Sequence, residues 1–320
     1  PATPRRAGRP ADTDDTTQEL AVSVRTIAFI GLGVMGAPMA ANLVRAGFDV
    51  VGYNRSAGKR EALVAAGGRA APSVADAVTG ADAVITMLPD SPDVEAVVLG
   101  ADGALEHMRS GALLIDMSTI RPDVARSVAE AGGARGVRVL DAPVSGGEQG
   151  AVEAKLSIMV GGEPEDFALA GPVLDALGAT VVHVGAAGAG QTVKASNQLI
   201  VAGVIELVSE ALVFLDAHGV DREGAVRVLA GGLAGSTVLD RKAASMLARD
   251  FAPGFRVDLH HKDLGIVTAA AREAGVAIPL GALTATLMGS LSAQGYGSLD
   301  HSALLLQVER LSGREVEAAD

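Results

Sequence analysis

Residues 26–53 constrain the fold more tightly than any other stretch. Residues 26–30 (TIAFI) form a short apolar run that reads as a buried strand. The run leads straight into Gly31-Leu32-Gly33-Val34-Met35-Gly36, then into an alanine-rich helical stretch, 37–46. Gly47 ends that helix, and 49–53 (DVVGY) reads as the next strand. Strand, GxGxxG turn, helix and strand within roughly 30 residues is the arrangement a dinucleotide-binding βαβ unit needs. The glycines permit a tight turn and let the backbone approach a pyrophosphate at the helix N-terminus. A glycine-rich turn without a ligand is the competing reading, but three spaced glycines are entropically costly unless a close approach requires them.

The second strand ends in Asn54-Arg55-Ser56, which bears on the choice of cofactor. An acidic residue here would bond the ribose 2′-hydroxyl of NAD, whereas an arginine accommodates the 2′-phosphate of NADP. With Asn54 at the acidic place and Arg55 beside it, the sequence predicts a preference for NADPH, with NADH as the alternative.

Further strand–helix units follow. Strands are expected at 83–87, 112–116 and 137–140, with helices near 60–66, 92–99 and 122–132. Such alternation implies a parallel, doubly wound sheet, and ligands of such sheets bind beyond the carboxyl ends of the strands. Leu88-Pro89, Ser118-Thr119 and Ser145-Gly146-Gly147 all fall at such ends. Ser118-Thr119 also stands where it could cap the helix that begins near Pro122. Strands at 156–160 and 181–184 complete this part. His183, in the last of them, reads as a core histidine with its hydrogen bonds satisfied.

A long apolar segment, 188–216, comes next. Val201, Val204, Ile205, Val208, Leu212 and Leu215 recur at steps of three and four, the helical period. Its first turns carry Lys194, Asn197 and Gln198, spaced to project from one face. An ordinary solvated lysine is one reading of Lys194. A lysine this close to a helix N-terminus opposes the helix dipole, however, and burial would lower its pKa toward that of a proton donor and acceptor. Beyond this segment, 220–229, 243–248, 259–274, 279–294 and 303–311 read as helices. The expected fold is therefore an α/β Rossmann domain (25–187), doubly wound, followed by an all-α C-terminal domain (188–320) joined through the long helix. Residues 1–24 read as a disordered tail.

Composition narrows the function. The 320 residues are 49% hydrophobic and carry a net charge of −12, which argues against nucleic acid and anionic membrane surfaces as partners. Glu206 and Glu210 interrupt the most apolar run, 199–215, which argues against a membrane span. The absence of cysteine excludes thiolate catalysis and disulfides and is compatible with a cytoplasmic location. The six histidines show no metal-ligand spacing, and His260 and His261 would face different ways on a helix, so no metal is expected.

Four blocks, 29–43 (FIGLGVMGAPMAANL), 141–151 (DAPVSGGEQGA), 188–198 (GAGQTVKASNQ) and 260–264 (HHKDL), together resemble the β-hydroxyacid dehydrogenase family over about 26–312. Within it, 86–92, 231–240, 255–264 and 300–304 look most like the tartronate semialdehyde reductase branch. The resemblance implies a catalytic role for Lys194 and substrate placement by Asn197, with Gln198 beside it. It implies a substrate-carboxylate loop at Ser145, Gly146 and Gly147, and Gln198 and Ser118 are expected to contact the substrate as well. It also implies cofactor contacts at Gly31 to Gly36, Asn54, Arg55, Ser56, Leu88, Pro89, Thr119 and Lys262. Asn54 departs from many relatives, in which that place is acidic.

The residue chemistry is consistent with this. Backbone N–H groups of a Ser-Gly-Gly turn suit a carboxylate, and an ammonium suits an oxygen that gains charge as hydride arrives. The expected reaction, as the resemblance implies, is reduction of tartronate semialdehyde to glycerate, with oxidation of 3-hydroxyisobutyrate or reduction of succinic semialdehyde, glyoxylate or a cyclic imine as alternatives. Imine reductases usually lack a lysine at the place of Lys194. A non-catalytic NADP-binding or chromatin-reading protein is disfavoured by the negative charge. The apolar helices of the second half, like those of relatives, point to a homodimer or homotetramer. Lys262-Asp263, outside the resemblance, reads as an ordinary surface pair.

Overall fold

The computed structural model describes residues 24–314. Nearly all of the expected tail lies outside them, though Val24 already packs against the core. The strands are β1 (Thr26–Ile30), β2 (Asp49–Tyr53), β3 (Arg69–Ala70), β4 (Ala83–Thr86), β5 (Leu113–Asp116), β6 (Arg138–Asp141), β7 (Val144–Ser145), β8 (Leu156–Gly161) and β9 (Gly178–Gly185). Between them lie α1 (Gly36–Arg45), α2 (Gly58–Ala65), α3 (Val74–Val78), α4 (Ser91–Val94), α5 (Ala104–His107), α6 (Pro122–Gly133), α7 (Gly147–Val152) and α8 (Pro164–Asp175). The helical half comprises α9 (Ala189–Ala217), α10 (Arg222–Ala230), α11 (Thr237–Ala248), α12 (Val257–Glu273), α13 (Pro279–Leu291) and α14 (Leu304–Leu311).

All nine strands join one sheet in the order β3-β2-β1-β4-β5-β6-β8-β7, with β9 pairing with β8 off that path. From β3 to β6 the pairs are parallel, the doubly wound order, and β8 joins antiparallel. Alternate side chains serve the two faces, as a period of two demands. Ile27, Phe29, Ile85 and Ile115 fill one layer, while Ala28, Ile30, Val84 and Leu114 fill the other. Few aromatics are needed, because β-branched and small residues close both layers.

The expected strands are present: β1 and β2 fall where expected, and the others have ends shifted by up to three residues. Several short elements lacked a sequence signal: two-residue β3 and β7, and α3, α5 and α7. The α8 helix was legible at Pro164, Ala170, Val173 and Leu174 but had not been expected. Helix α11 begins six residues earlier than expected, where the Ser236 hydroxyl accepts the Leu239 N–H at 3.1 Å. The helix expected to 294 is regular only to Leu291 and opens at Gly295, whose φ is +93°. His183 is half-buried, bonded to the Gly162 carbonyl at 2.8 Å and stacked on Phe167.

Helix α9 organises the second half. Its 29 residues are long and apolar enough to cross a membrane by length and composition alone. Here, however, it is the central helix of the C-terminal bundle, burying Ala202, Ile205 and Leu212 against α11 to α14. A buried carboxylate, Asp300, knits that bundle. It accepts from Lys242 on α11 and from the N–H groups of Gly254 and Phe255 before α12. Beside it, the His301 and His260 rings share a 2.9 Å nitrogen–nitrogen contact, and His260 Nε2 lies 3.2 Å from the Gln198 carbonyl of α9. Helix α12 is thus fixed against the first turns of α9.

Candidate active site

The glycine turn between β1 and α1 shows which of its positions are packed and which are open. A Cβ on Gly36 would lie 1.9 Å from the Gly31 carbonyl, so the helix sits against the turn with no room for a side chain. A Cβ on Gly33 would meet nothing within 4 Å. Gly33 therefore faces open space at the N-terminus of α1, and its carbonyl accepts the Ala37 N–H at 3.0 Å, which joins the turn to the helix. That combination fits a dinucleotide pyrophosphate. Val34 and Met35 complete the turn, with Val34 exposed.

At the end of β2 the Asn54 side chain is already engaged. Its Oδ1 accepts the Leu32 N–H at 3.0 Å, and its Nδ2 donates to the Ser56 carbonyl at 3.3 Å. Asn54 thus shapes the glycine turn rather than presenting a free amide. Arg55 is free by comparison: its side chain is 81% exposed, with Asp93 3.6 Å away.

The second half of the site hangs from the start of α9. The buried Asp141 carboxylate, at the end of β6, accepts the N–H groups of Gly188 at 2.7 Å and Gln191 at 2.9 Å. Burial pushes its pKa up, and these donors oppose that shift. Gln191, also buried, donates to the Ser118 carbonyl at 2.8 Å and accepts the Ile120 N–H at 3.0 Å. Sheet, β5 loop and α9 are therefore one rigid unit.

Lys194 is not a solvated lysine: it is only 7% exposed. Burial brings its pKa down to about 8; the nearby Asp263 charge opposes that shift and Lys262 adds to it. Its Nζ donates to Gln198 Oε1 at 3.1 Å, and the same oxygen accepts from Asn197 Nδ2 at 2.8 Å. Ser145 Oγ donates to Asn197 Oδ1 at 3.3 Å, which ties the Ser145 turn to α9. Gly146 and Gly147 both have positive φ, +142° and +67°, so this turn depends on glycine. From α12, Lys262 Nζ donates to the Pro89 carbonyl at 3.1 Å and the Thr119 carbonyl at 2.8 Å. The helical half thereby grips the loops after β4 and β5.

Lys194, Asn197, Gln198, Ser145, Lys262, Pro89 and Thr119 thus converge at the carboxyl ends of the strands. Ser118 does not present its side chain there. It is fully buried, its hydroxyl accepts the Leu88 N–H at 2.9 Å, and it supports the loop instead of contacting a substrate. Nor does it cap α6, which starts after Arg121 with no side-chain cap. Lys262-Asp263 is not a surface pair, because Asp263 is 2% exposed and accepts from Gln198 Nε2 at 2.6 Å. Its signal was available: Asp263 falls on the apolar stripe formed by Val257, His260, Leu264 and Val267. Asp141 and Gln191 were also missed, since an acid before Ala-Pro and a glutamine after Gly carry no pattern of their own. Asp116, buried beneath them and bonded to Thr86 at 2.7 Å, has its pKa raised by burial to about 6. Among the described residues, no group of acidic residues and histidines could hold a metal ion.

Comparison with known proteins agrees with this geometry. Residues 26–185 match the family described as the NAD binding domain of 6-phosphogluconate dehydrogenase. Residues 188–308 match that described as NAD-binding of NADP-dependent 3-hydroxyisobutyrate dehydrogenase. The chain is 39% identical to 2-hydroxy-3-oxopropionate reductase of Escherichia coli (strain K12), over 91% of this chain and 99% of the relative. It is 38% identical to an NAD-dependent L-serine dehydrogenase of Pseudomonas aeruginosa, over 88% and 97%. A solved structure of Mycobacterium tuberculosis 3-hydroxyisobutyrate dehydrogenase with L-serine superposes with a TM-score of 0.82 at 36% identity, covering 89% of this chain and 99% of that one. Fold and site together define a nicotinamide-nucleotide-dependent oxidoreductase. The chain belongs to the β-hydroxyacid dehydrogenase family, whose members act on small hydroxyacids and semialdehydes.

The two glycines should separate packing from binding. Gly33→Ala, with open space around its Cβ, is expected to keep the wild-type melting temperature and weaken dinucleotide binding at least about tenfold by blocking close approach. Gly36→Ala is expected to lower the melting temperature as well, since its Cβ collides with backbone. Equal nucleotide affinity in Gly33→Ala and wild type, by calorimetry, would contradict this assignment.

Proposed function

We propose that the enzyme reduces tartronate semialdehyde (2-hydroxy-3-oxopropanoate) to glycerate, with Lys194 as general acid and, in reverse, general base. The observation that supports this reading best is the buried Lys194 ammonium, held beside Asn197 and the Ser145 turn at the mouth of the sheet. The N–H groups of Gly146, Gly147 and the start of α7 would receive the substrate carboxylate, while Ser145 stays in the β7–β8 ladder. Asn197 would orient the carbonyl end. The nicotinamide of a dinucleotide bound at the glycine turn would supply the hydride to the carbonyl carbon. As that C–H bond forms, the π electrons move to oxygen, and Lys194 stabilises the charge and transfers its proton to make the O–H bond. Burial, which brings Lys194 to about 8, suits both directions near neutrality.

Substrate choice rests on similarity to the reductase named above. Other relatives carry the names of serine and 3-hydroxyisobutyrate dehydrogenases, which makes those acids the comparison substrates. For the cofactor, the exposed Arg55 guanidinium and the absence of a carboxylate at Asn54 favour NADPH.

Lys194→Ala should lose about 10²–10⁴-fold in kcat while binding cofactor as wild type does. NADPH oxidation with tartronate semialdehyde should exceed turnover of 3-hydroxyisobutyrate and L-serine, and Arg55→Ala should raise the KM for NADPH about tenfold or more but leave that for NADH unchanged. Preferred turnover of 3-hydroxyisobutyrate would move the assignment within the family. Full activity of Lys194→Ala would remove the mechanism.

The same helices support a homodimer or homotetramer. Ile200, Leu207 and Phe214 recur every seven residues along α9 as one exposed stripe, flanked by Leu283 and Leu311. Light scattering is expected to give a multiple of the 32.1 kDa chain mass. A monomer at micromolar concentration would refute this.

A further inference from the structure

The mechanism above uses Lys194, Asn197 and the Ser145 turn. It leaves Asp263 without a role, although this acid is buried, lies on the apolar stripe of α12 and points at the catalytic face of α9. We propose that Asp263 is a positioning residue for the reaction: through Gln198 it holds Lys194 in place, and its negative charge stabilises the lysine ammonium. The inference rests on the reading of Lys194 as the proton donor.

The geometry runs in one direction. A primary amide presents an oxygen that accepts and a nitrogen that donates, and either end can face either way. At Gln198, Nε2 donates to Asp263 Oδ2 at 2.6 Å, which commits that end to the carboxylate. The oxygen is then turned toward α9, where it accepts from Lys194 Nζ at 3.1 Å and Asn197 Nδ2 at 2.8 Å. Reversing the amide would set an NH2 group against the ammonium and an oxygen against the carboxylate, losing all three bonds. The 2.6 Å contact is short, as expected of a charge-assisted bond.

The charges that face Lys194 come from α12. Asp263 favours the ammonium, whereas Lys262 opposes it. His260, on the same helix, is kept neutral by burial. Lys262 lies 2.9 Å from Asp263 Oδ1 in an orientation poor for a hydrogen bond, and it spends its N–H groups on the Pro89 and Thr119 carbonyls. At 2.9 Å Lys262 and Asp263 still form an ion pair, so Asp263 both favours the Lys194 ammonium and screens the opposing Lys262 charge. Without Asp263, a lysine buried to this degree would shed its proton more readily and would be a weaker acid catalyst near neutrality.

The test is the pH dependence of kcat/KM in wild type and Asp263→Asn, which matches the shape of the side chain and removes the charge. The rising limb in the oxidation direction should move to lower pH by about one unit or more, and reduction at pH 7.5 should slow about threefold or more. Asp263→Glu should restore the limb toward wild type. A structural role alone would lower kcat without moving the limb, and that result overturns the proposal.

Competitive labelling with acetic anhydride, read by peptide mass spectrometry with Lys59 and Lys155 as references, reports the Lys194 titration without turnover. If no hydroxyacid or semialdehyde is turned over, the functional reading fails, yet the labelling still decides whether Asp263 controls Lys194. Identical Lys194 labelling profiles in wild type and Asp263→Asn overturn the proposal. Should Asp263→Asn not fold, Gln198→Met severs the same link from its other end. It is expected to lose at least about tenfold in kcat, since held geometry is worth several kcal/mol to a catalytic step, and wild-type kcat in that variant also overturns the proposal.

Discussion

The contact between the Asp141 carboxylate and the first N–H groups of α9 supports the rest of the molecule. It joins the end of a sheet strand to the start of a 29-residue helix, with bonds of 2.7 and 2.9 Å to Gly188 and Gln191. A negative charge at a helix N-terminus is favourable, and in a buried setting it is worth more than at a surface. The junction leaves no spare space: a Cβ on Gly190 would lie 2.4 Å from the Met159 carbonyl and 2.8 Å from Asp141 Oδ2. The position of Lys194, one turn further on, follows from this junction. Gln191 extends the same fixation to the loop after β5, so the face of α9 that carries Lys194 cannot move independently of the sheet.

A second constraint comes from the cost of burying an ammonium. Removing Lys194 from water disfavours its charged form, and no carboxylate touches it directly. The structure places an amide between the lysine and the nearest acid. A direct ion pair would hold the proton tightly and block its transfer, whereas a neutral amide holds the side chain while leaving the proton available. Helix α12 supplies the acid, and Lys262 on the same helix binds the sheet loops. One short segment, 260–264, thus sets both the electrostatics of the lysine and the grip between the two halves of the chain.

Much of this was legible in the sequence, and the reasons are local. The β1–α1–β2 unit announces itself because turn, helix and strand each need particular residues at fixed spacing. Lys194, Asn197 and Gln198 were grouped correctly because helical spacing alone places them on one face. What escaped notice was long-range in origin. The Ser118 hydroxyl turns away from the cleft because Leu88, on the neighbouring loop, needs an acceptor. Asn54 is occupied because the Leu32 N–H reaches it across the glycine turn. Asp263 looked like half of a surface pair until the packing of α12 against α9 put it inside. In each case the partner is more than 20 residues away in the chain, and spacing rules say nothing about partners at that distance.

The central claim is that Lys194 meets the reacting oxygen of a small hydroxyacid whose carboxylate rests on the Ser145-Gly146-Gly147 turn. A crystal structure of the ternary complex with NADP and glycerate tests it most directly. The account predicts that Lys194 Nζ lies within hydrogen-bond distance of the substrate hydroxyl oxygen, that Asn197 lies beside it, and that the carboxylate sits on the N–H groups of the turn. Glycerate bound away from α9, or Lys194 still bonded only to Gln198 with the substrate in place, would contradict it.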